Sequence, residues 1–203
     1  MKVTTAMVKE LRETTGAGVL DAKKALESTD GDFEKAVDII REKGAVSAMS
    51  RADRKAAEGV IEVYPHPGSR VGVMLELNCE TDFVARNERF VSLAHELALH
   101  VAAMDPLYIK SDEIPADVLE PMIEEYRSRA EAEGKPADIV DRIVKGRLEK
   151  YYEEVCLLEQ PYVRDDSKKV KDLILESIGA LRENVVVRRF VRYELGQGSE
   201  ESE

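Results

Sequence analysis

The sequence predicts an α+β protein, in which an N-terminal group of three helices precedes a core of helices packed on a small antiparallel or mixed sheet. Three observations predict this class. Apolar side chains recur at helical spacing over residues 3–44, apolar and polar side chains alternate over residues 70–80, and residues 185–195 are rich in β-branched and aromatic side chains. Longer helical patterns stand between the predicted strands, so the helices are expected to lie segregated on the sheet.

The N-terminal segment is predicted to fold as three short helices. The first ends at the glycines of residues 16–18, which form a turn between helices and not a phosphate-binding loop, because no strand precedes them and no GK[ST] sequence follows. Asp32 is predicted to cap the third helix and Gly44 to end it. Three helices in about forty residues can form a compact domain of marginal stability.

The rest of the chain is predicted to contain a hairpin of two strands, followed by helices and two further strands. The predicted bounds are strands 59–64 and 70–80 with a turn at 65–69, helices 82–104, 116–133 and 136–153, a short strand near 155–159, a helix at 168–182 and a strand at 185–195. The organisation that follows is a three-helix domain at 1–45, a connecting helix at 46–57, an α+β core at 58–196 and an acidic, disordered tail at 197–203.

The junction between strand 70–80 and the next helix carries the sequence NCETDFVARN, residues 78–87. Thr81 stands where a helix N-cap is expected. Asp82 falls in the first turn, where its negative charge interacts favourably with the positive end of the helix dipole. Phe83 and Val84 follow directly. An acidic and a large aromatic side chain are therefore presented together at the exposed start of a helix. The alternative interpretation is a capped helix whose first apolar residue, Phe83, belongs to the core.

Composition limits the function classes. The 203 residues carry a formal net charge of −11, which argues against broad nucleic-acid binding, because phosphate contacts need concentrated Lys and Arg. Residues 1–57 hold 11 basic and 10 acidic side chains, so the acidic excess lies in the remainder. No apolar run is long enough to span a membrane, and the N-terminus lacks a secretory pattern. Cys79 and Cys156 are isolated in the sequence. This pattern is typical of reduced core thiols in a cytoplasmic protein.

Catalytic chemistry finds little support in the sequence. His95 and His100 are five positions apart and point to different sides of a helix, whereas the zinc motif needs a spacing of four. Cys79 lacks a neighbouring His or a second Cys that would lower its pKa. The basic residues Arg188, Arg189 and Arg192 favour a salt-bridged strand face, with partner contact as the second interpretation. We therefore predict no catalytic residues, no metal and no cofactor.

Several segments together resemble one family. They are residues 8–18 (VKELRETTGAG), 21–26 (DAKKAL), 34–37 (EKAV), 41–45 (REKGA), 76–87 (ELNCETDFVARN), 157–163 (LLEQPYV) and 188–190 (RRF). The chain resembles the bacterial translation elongation factor Ts family, in a short form with a single core. The resemblance implies an N-terminal domain of the ubiquitin-associated type followed by an α+β core.

The resemblance also implies a function and a set of site residues. Members of this family promote GDP release from elongation factor Tu by disturbing the Mg²⁺ and phosphate site of its G domain. It implies that Asp82 and Phe83, within the motif Thr81-Asp82-Phe83-Val84, enter the nucleotide-binding domain near the metal ion. It implies that Arg12, Val19 and Leu20 dock the small domain on a neighbouring helix, although many relatives have methionine at the last two positions. Short members are expected to form homodimers, and strand 185–195 is the candidate interface.

Two other hypotheses stay open at this point. One is an adaptor without catalytic activity whose three-helix domain binds ubiquitin-like or peptide partners, which would leave the motif at residues 81–84 unexplained. The other is an enzyme that uses Cys79 as its nucleophile, which predicts rapid alkylation of that thiol at neutral pH. The exchange-factor hypothesis is preferred because it accounts for both the N-terminal segment and the central motif.

Overall fold

The computed structural model describes residues 3–197, with the backbone alone for Ala45, Ser47 and Met49. In that range the helices are α1 Thr5–Thr15, α2 Val19–Ser28, α3 Phe33–Met49, α4 Asp82–Ala85, α5 Glu88–Met104, α6 Ala116–Ala132, α7 Ala137–Val155 and α8 Val170–Leu181, with a short 3-10 helix at Ser111–Glu113. The strands are β1 Glu58–Pro65, β2 Val71–Cys79, β3 Pro161–Tyr162, β4 Asp165–Lys169 and β5 Val186–Glu194. The predicted α+β class is confirmed. The predicted tail lies, from residue 198 onward, outside the described residues.

The chain divides into two compact units. The first unit contains the residues up to Ala102 together with those from Lys171 onward, and the second unit contains Ala103–Val170. This division does not test the predicted domain boundaries at residues 45, 57 and 196, which stay predictions.

The three N-terminal helices begin and end as local chemistry dictates. The hydroxyl of Thr4 accepts a hydrogen bond from the Met7 amide at 3.3 Å, and the carboxylate of Asp32 accepts one from the Lys35 amide at 3.1 Å, as the sequence predicted for Asp32. Gly16 ends α1 with a φ of 69°, a conformation that glycine adopts without strain. The apolar faces of the three helices meet in one small core of Val8, Leu11, Ala22, Ala25, Leu26, Ala36 and Val37.

The predicted helix end at Gly44 is wrong, because α3 continues through this residue to Met49. Gly44 instead serves a close approach between helices. A Cβ atom on Gly179 of α8 would lie 3.2 Å from the Gly44 Cα, and one on Gly44 would lie 3.6 Å from the Leu175 carbonyl oxygen. Residues 50–57, predicted as part of a connecting helix, form turns and a bend followed by irregular backbone.

The central sheet has three antiparallel strands in the order β1-β2-β5. The predicted hairpin of β1 and β2 is confirmed, and β5 joins the other side of β2 with a bulge between Glu76 and Leu77. One face of the sheet is buried and includes Val73, Leu75, Leu77, Cys79 and Val187. Helix α5 lies on this face, where the His95 ring contacts the Tyr64 ring edge-on and a ring nitrogen lies 2.9 Å from a carboxylate oxygen of Glu62.

The opposite face of the sheet is exposed and partly apolar. We call it the open sheet face, and it comprises Ile61, Val63, Met74, Glu76, Arg189, Val191 and Tyr193. Five of these side chains are large, apolar and exposed, and Tyr193 is 73% exposed. The Arg189 guanidinium lies 2.7 Å from the Glu76 carboxylate, so the predicted salt-bridged strand face is present at this pair.

The predicted single helix over 82–104 is wrong, because the structure contains the one-turn helix α4 and then α5. The break falls at Arg86 and Asn87. The side-chain oxygen of Asn87 accepts a hydrogen bond from the Arg89 amide at 2.9 Å and so starts a new helix. Phe90 is fully buried, whereas Phe83 is 82% exposed, so the interpretation of Phe83 as a core residue is also wrong.

The second unit is built around the pair of helices α6 and α7, whose contacting side chains bury Ala130, Val140 and Val144. The predicted strand near 155–159 is reduced to one bridge between Tyr108 and Cys156. Asp165 and Asp166 belong to the short strand β4, which pairs with β3. The buried amide of Gln160 donates to the carbonyl oxygens of Glu154 and Met104 at 2.8 and 3.3 Å.

Candidate partner-binding site

The turn at residues 80–84, which we call the Thr81 turn, connects β2 to α4. Thr81 has extended backbone, with φ −128° and ψ 154°, and its hydroxyl accepts a hydrogen bond from the Val84 amide at 3.4 Å. This is the N-cap that the sequence predicted. Asp82 lies in the first turn of the helix, also as predicted. Its carboxylate lies 3.0 Å from the Arg86 guanidinium, and both side chains face solvent.

Glu183 supports the Thr81 turn from the loop between α8 and β5. One carboxylate oxygen accepts hydrogen bonds from the backbone amides of Glu80 and Thr81, at 3.1 and 3.0 Å. The other accepts a hydrogen bond of 2.6 Å from the Thr81 hydroxyl. A carboxylate that accepts three hydrogen bonds from one turn fixes that turn more strongly than neutral partners would.

The residues on both sides of Glu183 attach the same loop to the N-terminal segment. The Arg182 guanidinium lies 3.1 Å from Asp21 of α2, and the Arg182 carbonyl oxygen accepts a hydrogen bond of 3.0 Å from Arg51. Asn184, which is 4% exposed, donates its side-chain amide to the Arg54 carbonyl oxygen at 2.9 Å. Its own backbone amide donates to the Glu80 carboxylate at 2.7 Å.

Phe83 is the most exposed of the large apolar side chains that the structure describes, at 82%. Covering a benzyl group of this size with another protein would contribute about 2–3 kcal/mol. A single exposed apolar side chain is common on protein surfaces, but a ring on a turn held by charged hydrogen bonds is not a random feature. The Thr81 turn therefore holds the backbone from which Phe83 projects into solvent.

The N-terminal residues singled out from the sequence lie around the turn between α1 and α2. Val19 and Leu20 occupy the first positions of α2 and are 52% and 70% exposed. Arg12 donates from its Nε atom to the Ala17 carbonyl oxygen at 3.4 Å, so its side chain lies beside the same turn. These three residues form a second, partly apolar surface.

Arg89 joins this second surface to α5. Its guanidinium donates to the Thr15 carbonyl oxygen at 3.2 Å. It also lies directly over Gly16, where any Cβ atom would overlap it. The positive φ of 69° favours glycine at this position, and a larger residue would also displace the Arg89 guanidinium. Sequence reasoning missed Arg89, Glu183 and Asn184, because each acts on a segment remote from it along the chain and no local motif marks it.

Cys79 lies at the end of β2 and is fully buried. Burial raises the pKa of its thiol to about 11, and the nearby Glu183 carboxylate adds to the increase. The Sγ atom donates to the Thr81 carbonyl oxygen at 3.2 Å. Since the thiolate is the nucleophilic form, a thiol with this pKa is inert at neutral pH, which argues against the enzyme hypothesis.

Within residues 3–197, no three His, Cys, Asp or Glu side chains are placed to hold a metal ion together. In the same range no helix combines the length and the apolar composition needed to cross a bilayer. The features that stand out are surfaces: an aromatic ring on a rigid turn, and exposed aliphatic side chains at the start of α2. These features are typical of a protein that binds another protein.

Comparison with known proteins identifies the class more closely. The family described as Elongation factor TS matches residues 2–197. The chain is similar to proteins named elongation factor Ts from Thermotoga petrophila, 54% identical over 201 residues that cover 99% of this chain and 100% of that protein, and from Carboxydothermus hydrogenoformans, 51% identical over 196 residues that cover 97% of this chain and 90% of that protein. A third, from Caldanaerobacter subterraneus, is 54% identical over 193 residues, with 95% and 96% covered. The chain therefore belongs to the elongation factor Ts family.

Proposed function

We propose that this chain is a guanine-nucleotide exchange factor for elongation factor Tu, and that Phe83 and Asp82 act by disturbing the Mg²⁺ and phosphate site of the partner's G domain. Membership of the elongation factor Ts family supports the general role. The single observation that supports the mechanism is the 82% exposure of Phe83 on the Thr81 turn. A ring in this position is free to enter a neighbouring protein.

The free energy that exchange needs explains why more than one contact surface is required. A nucleotide that binds at ~1 nM and associates at ~10⁶ M⁻¹s⁻¹ leaves at roughly 10⁻³ s⁻¹. Release at ~10 s⁻¹ requires about 10⁴-fold acceleration, or about 5.5 kcal/mol of destabilisation of the bound nucleotide. The factor and the nucleotide must then weaken each other's binding by the same factor.

One aromatic contact provides about 2–4 kcal/mol at a well-packed interface, which is less than this requirement. We propose that Arg12, Val19 and Leu20 supply a second contact, by docking on a helix of the partner beside the nucleotide site. Binding free energy from this anchor would be used to hold Phe83 and Asp82 against the metal site. The exposure of Val19 and Leu20 at the start of α2 supports this assignment.

Asp82 and Val84 have different proposed tasks. The Asp82 carboxylate lies 3.0 Å from Arg86 and is about half exposed, so it can exchange this partner for one on elongation factor Tu. A negative charge near Mg²⁺ would compete with the phosphates for the ion. Val84 donates its amide to the Thr81 cap and completes the short helix that carries Phe83.

We further propose that two copies of this chain associate, in the cytoplasm where translation takes place. The open sheet face supports this proposal, because it places Ile61, Val63, Met74, Val191 and Tyr193 together in water. β5, the strand singled out from the sequence, is an edge strand and contributes two of these side chains. The proposed partner at this face is a second copy of the chain, and the net charge of −11 argues against broad nucleic-acid binding.

The test is the release of fluorescent GDP from elongation factor Tu, chased with excess unlabelled GDP, over a range of factor concentrations. The plateau rate measures the distortion of the nucleotide site, and the half-saturating concentration measures binding. We expect Phe83→Ala to lower the plateau by about tenfold or more. Leu107→Ala, which removes an apolar side chain that is 63% exposed in the second unit, is the matched control and should leave both quantities unchanged.

Two outcomes would contradict the proposal. If the unaltered protein does not accelerate release, the exchange function is wrong. If Phe83→Ala and the unaltered protein reach the same plateau, the role given to Phe83 is wrong, and the adaptor hypothesis, in which only the N-terminal helices bind a partner, gains support.

A further inference from the structure

We infer that Glu183 is a positioning residue for nucleotide exchange: its carboxylate holds the Thr81 turn in the one conformation that presents Phe83 to the partner. The inference rests on the proposed function, which assigns the work to Phe83 and Asp82. The inference adds Glu183 to the residues that nucleotide exchange needs. In the proposed function Glu183 contacts neither the nucleotide nor the partner, and it acts through Thr81.

The first argument is the geometry of the hydrogen bonds. Glu183 accepts from two consecutive backbone amides, those of Glu80 and Thr81, and from the Thr81 hydroxyl at 2.6 Å. Because the hydroxyl donates its only proton to Glu183, its lone pairs remain to accept the Val84 amide. Glu183 therefore fixes the rotamer of the cap as well as the backbone in front of it.

The second argument is that the Thr81 turn has little stability of its own. α4 contains four residues, and a single turn of helix is unstable in water unless something outside it holds it. Its cap hydrogen bond is long, at 3.4 Å. Phe83 itself is exposed and contributes little packing. The hydrogen bonds to Glu183, together with the buried Ala85, therefore hold the backbone from which Phe83 projects.

The third argument is the attachment of Glu183 itself. Arg182 has a φ of 61°, an unusual value for a residue with a side chain, and this turn at the end of α8 directs Glu183 toward Thr81. Arg182 contacts Asp21 of α2, and the buried Asn184 is bound to the backbone after α3. The tripeptide at 182–184 therefore supports the Thr81 turn and is itself attached to the segment that carries Val19 and Leu20.

The experiment measures plateau rate and half-saturating concentration separately in the GDP-release assay, with Glu183→Ala, Glu183→Gln and the control Glu62→Gln. Glu62 is also a partly buried carboxylate, paired with His95, but it lies away from the Thr81 turn. We expect Glu183→Ala to lower the plateau about tenfold and Glu183→Gln to lower it less, because the amide keeps one acceptor oxygen. Half-saturation should change less than about twofold. Partial unfolding would give the opposite pattern, a raised half-saturating concentration with the plateau intact.

A second readout does not depend on exchange. The chain contains no tryptophan, so Phe83→Trp places one fluorophore at the end of the turn. Time-resolved anisotropy should show a larger amplitude of fast local motion for the introduced indole when Glu183 is replaced by Ala. The same indole in the Glu62→Gln background should move as it does in the otherwise unaltered protein.

Thr81→Val provides a variant that removes the hydroxyl and leaves Glu183 in place. If Glu183 acts through Thr81, the double variant with Glu183→Ala should lower the plateau by much less than the product of the two single effects. If the double variant lowers the plateau rate by the full product of the two single reductions, the inference is overturned. The inference is also overturned if Glu183→Ala reaches the plateau rate of the unaltered protein while Phe83→Ala lowers that rate. This result would leave the proposed function intact. An unchanged plateau in Phe83→Ala refutes the proposed function and the inference together.

Discussion

The hydroxyl of Thr81 donates a hydrogen bond of 2.6 Å to the carboxylate of Glu183, although 102 residues separate the two along the chain. The exposed turn that follows β2 is therefore supported by the loop that precedes β5. The same loop contacts Asp21 of α2 through Arg182. The two surfaces proposed to bind elongation factor Tu are connected through three consecutive residues, and they can be tested separately.

Leu20→Ser should weaken binding of elongation factor Tu without changing the maximal rate of GDP release. Leu20 is 70% exposed, so its loss affects folding little, but an aliphatic side chain covered at an interface contributes about 1–2 kcal/mol. The half-saturating factor concentration should rise about tenfold. Val46→Ser, on α3 and 63% exposed, is the control. A lower plateau for Leu20→Ser would mean that this residue also distorts the nucleotide site.

Two glycine substitutions should have opposite effects on the free energy of unfolding. Gly146, inside α7, has open space where a Cβ would lie, so Gly146→Ala should stabilise the protein by about 0.5–1 kcal/mol. Gly179, inside α8, would place a Cβ 3.2 Å from the Gly44 Cα, so Gly179→Ala should destabilise it despite the same gain in helix propensity. Urea unfolding measures both changes. Equal stabilisation of the two variants would show that α3 and α8 separate easily.

Stability should fall as the pH rises from about 9 through about 11, in part because of the two cysteines. Burial raises the pKa of Cys79 and of Cys156 from 9.0 to about 11. In this window the thiols ionise in the unfolded chain before they ionise in the folded one, so the unfolded state gains stability, on the order of 1 kcal/mol per thiol. The contribution is complete below a pH of about 9 and lost above a pH of about 11.

The measurement compares urea unfolding of the unaltered protein with that of the Cys79→Ala, Cys156→Ala double variant, under reducing conditions from about pH 8 to about pH 11. The variant starts less stable, because two buried side chains are shortened. The difference between the two proteins should narrow as the pH rises. Parallel curves would contradict the assigned pKa shifts.

Val191→Lys should prevent association of two chains. Val191 is 39% exposed and lies opposite Met74 on the open sheet face, so a lysine there would place a charge inside the proposed interface. Light scattering at micromolar concentration should give the mass of a dimer for the unaltered protein and of a single chain for the variant. Leu107→Lys, on the second unit, is the control. A single-chain mass for the unaltered protein would refute the dimer.

The accuracy of the sequence predictions depended on how local the deciding interactions were. The caps at Asp32 and Thr81 and the hairpin of β1 and β2 follow from side chains within a few residues of each other, and they were predicted correctly. The α+β class followed from periodicity. The chemistry of the Thr81 turn was also evident from its sequence, since an N-cap, an acid and an aromatic ring occur in succession.

The predictions were wrong where the local structure is determined by residues distant in the sequence or by competing interactions. Helical spacing continues from Phe83 to Phe90, so periodicity alone did not reveal that Asn87 restarts the helix. Gly44 has the usual identity of a helix end, but its packing partner Gly179 lies on α8. Glu183 carries no motif, and its role becomes visible only when the β2–β5 pairing brings its loop next to Thr81.

The first unit is assembled from two separated stretches of chain, whereas the second is continuous. During synthesis, β1 and β2 emerge early but form only a two-stranded hairpin, which has marginal stability by itself. The third strand of the sheet, and Glu183 just before it, are made after the whole of the second unit. A nascent chain consequently displays the phenylalanine of the Thr81 turn before Glu183 is available to hold that turn, and the surface proposed for elongation factor Tu is complete only when β5 joins the sheet.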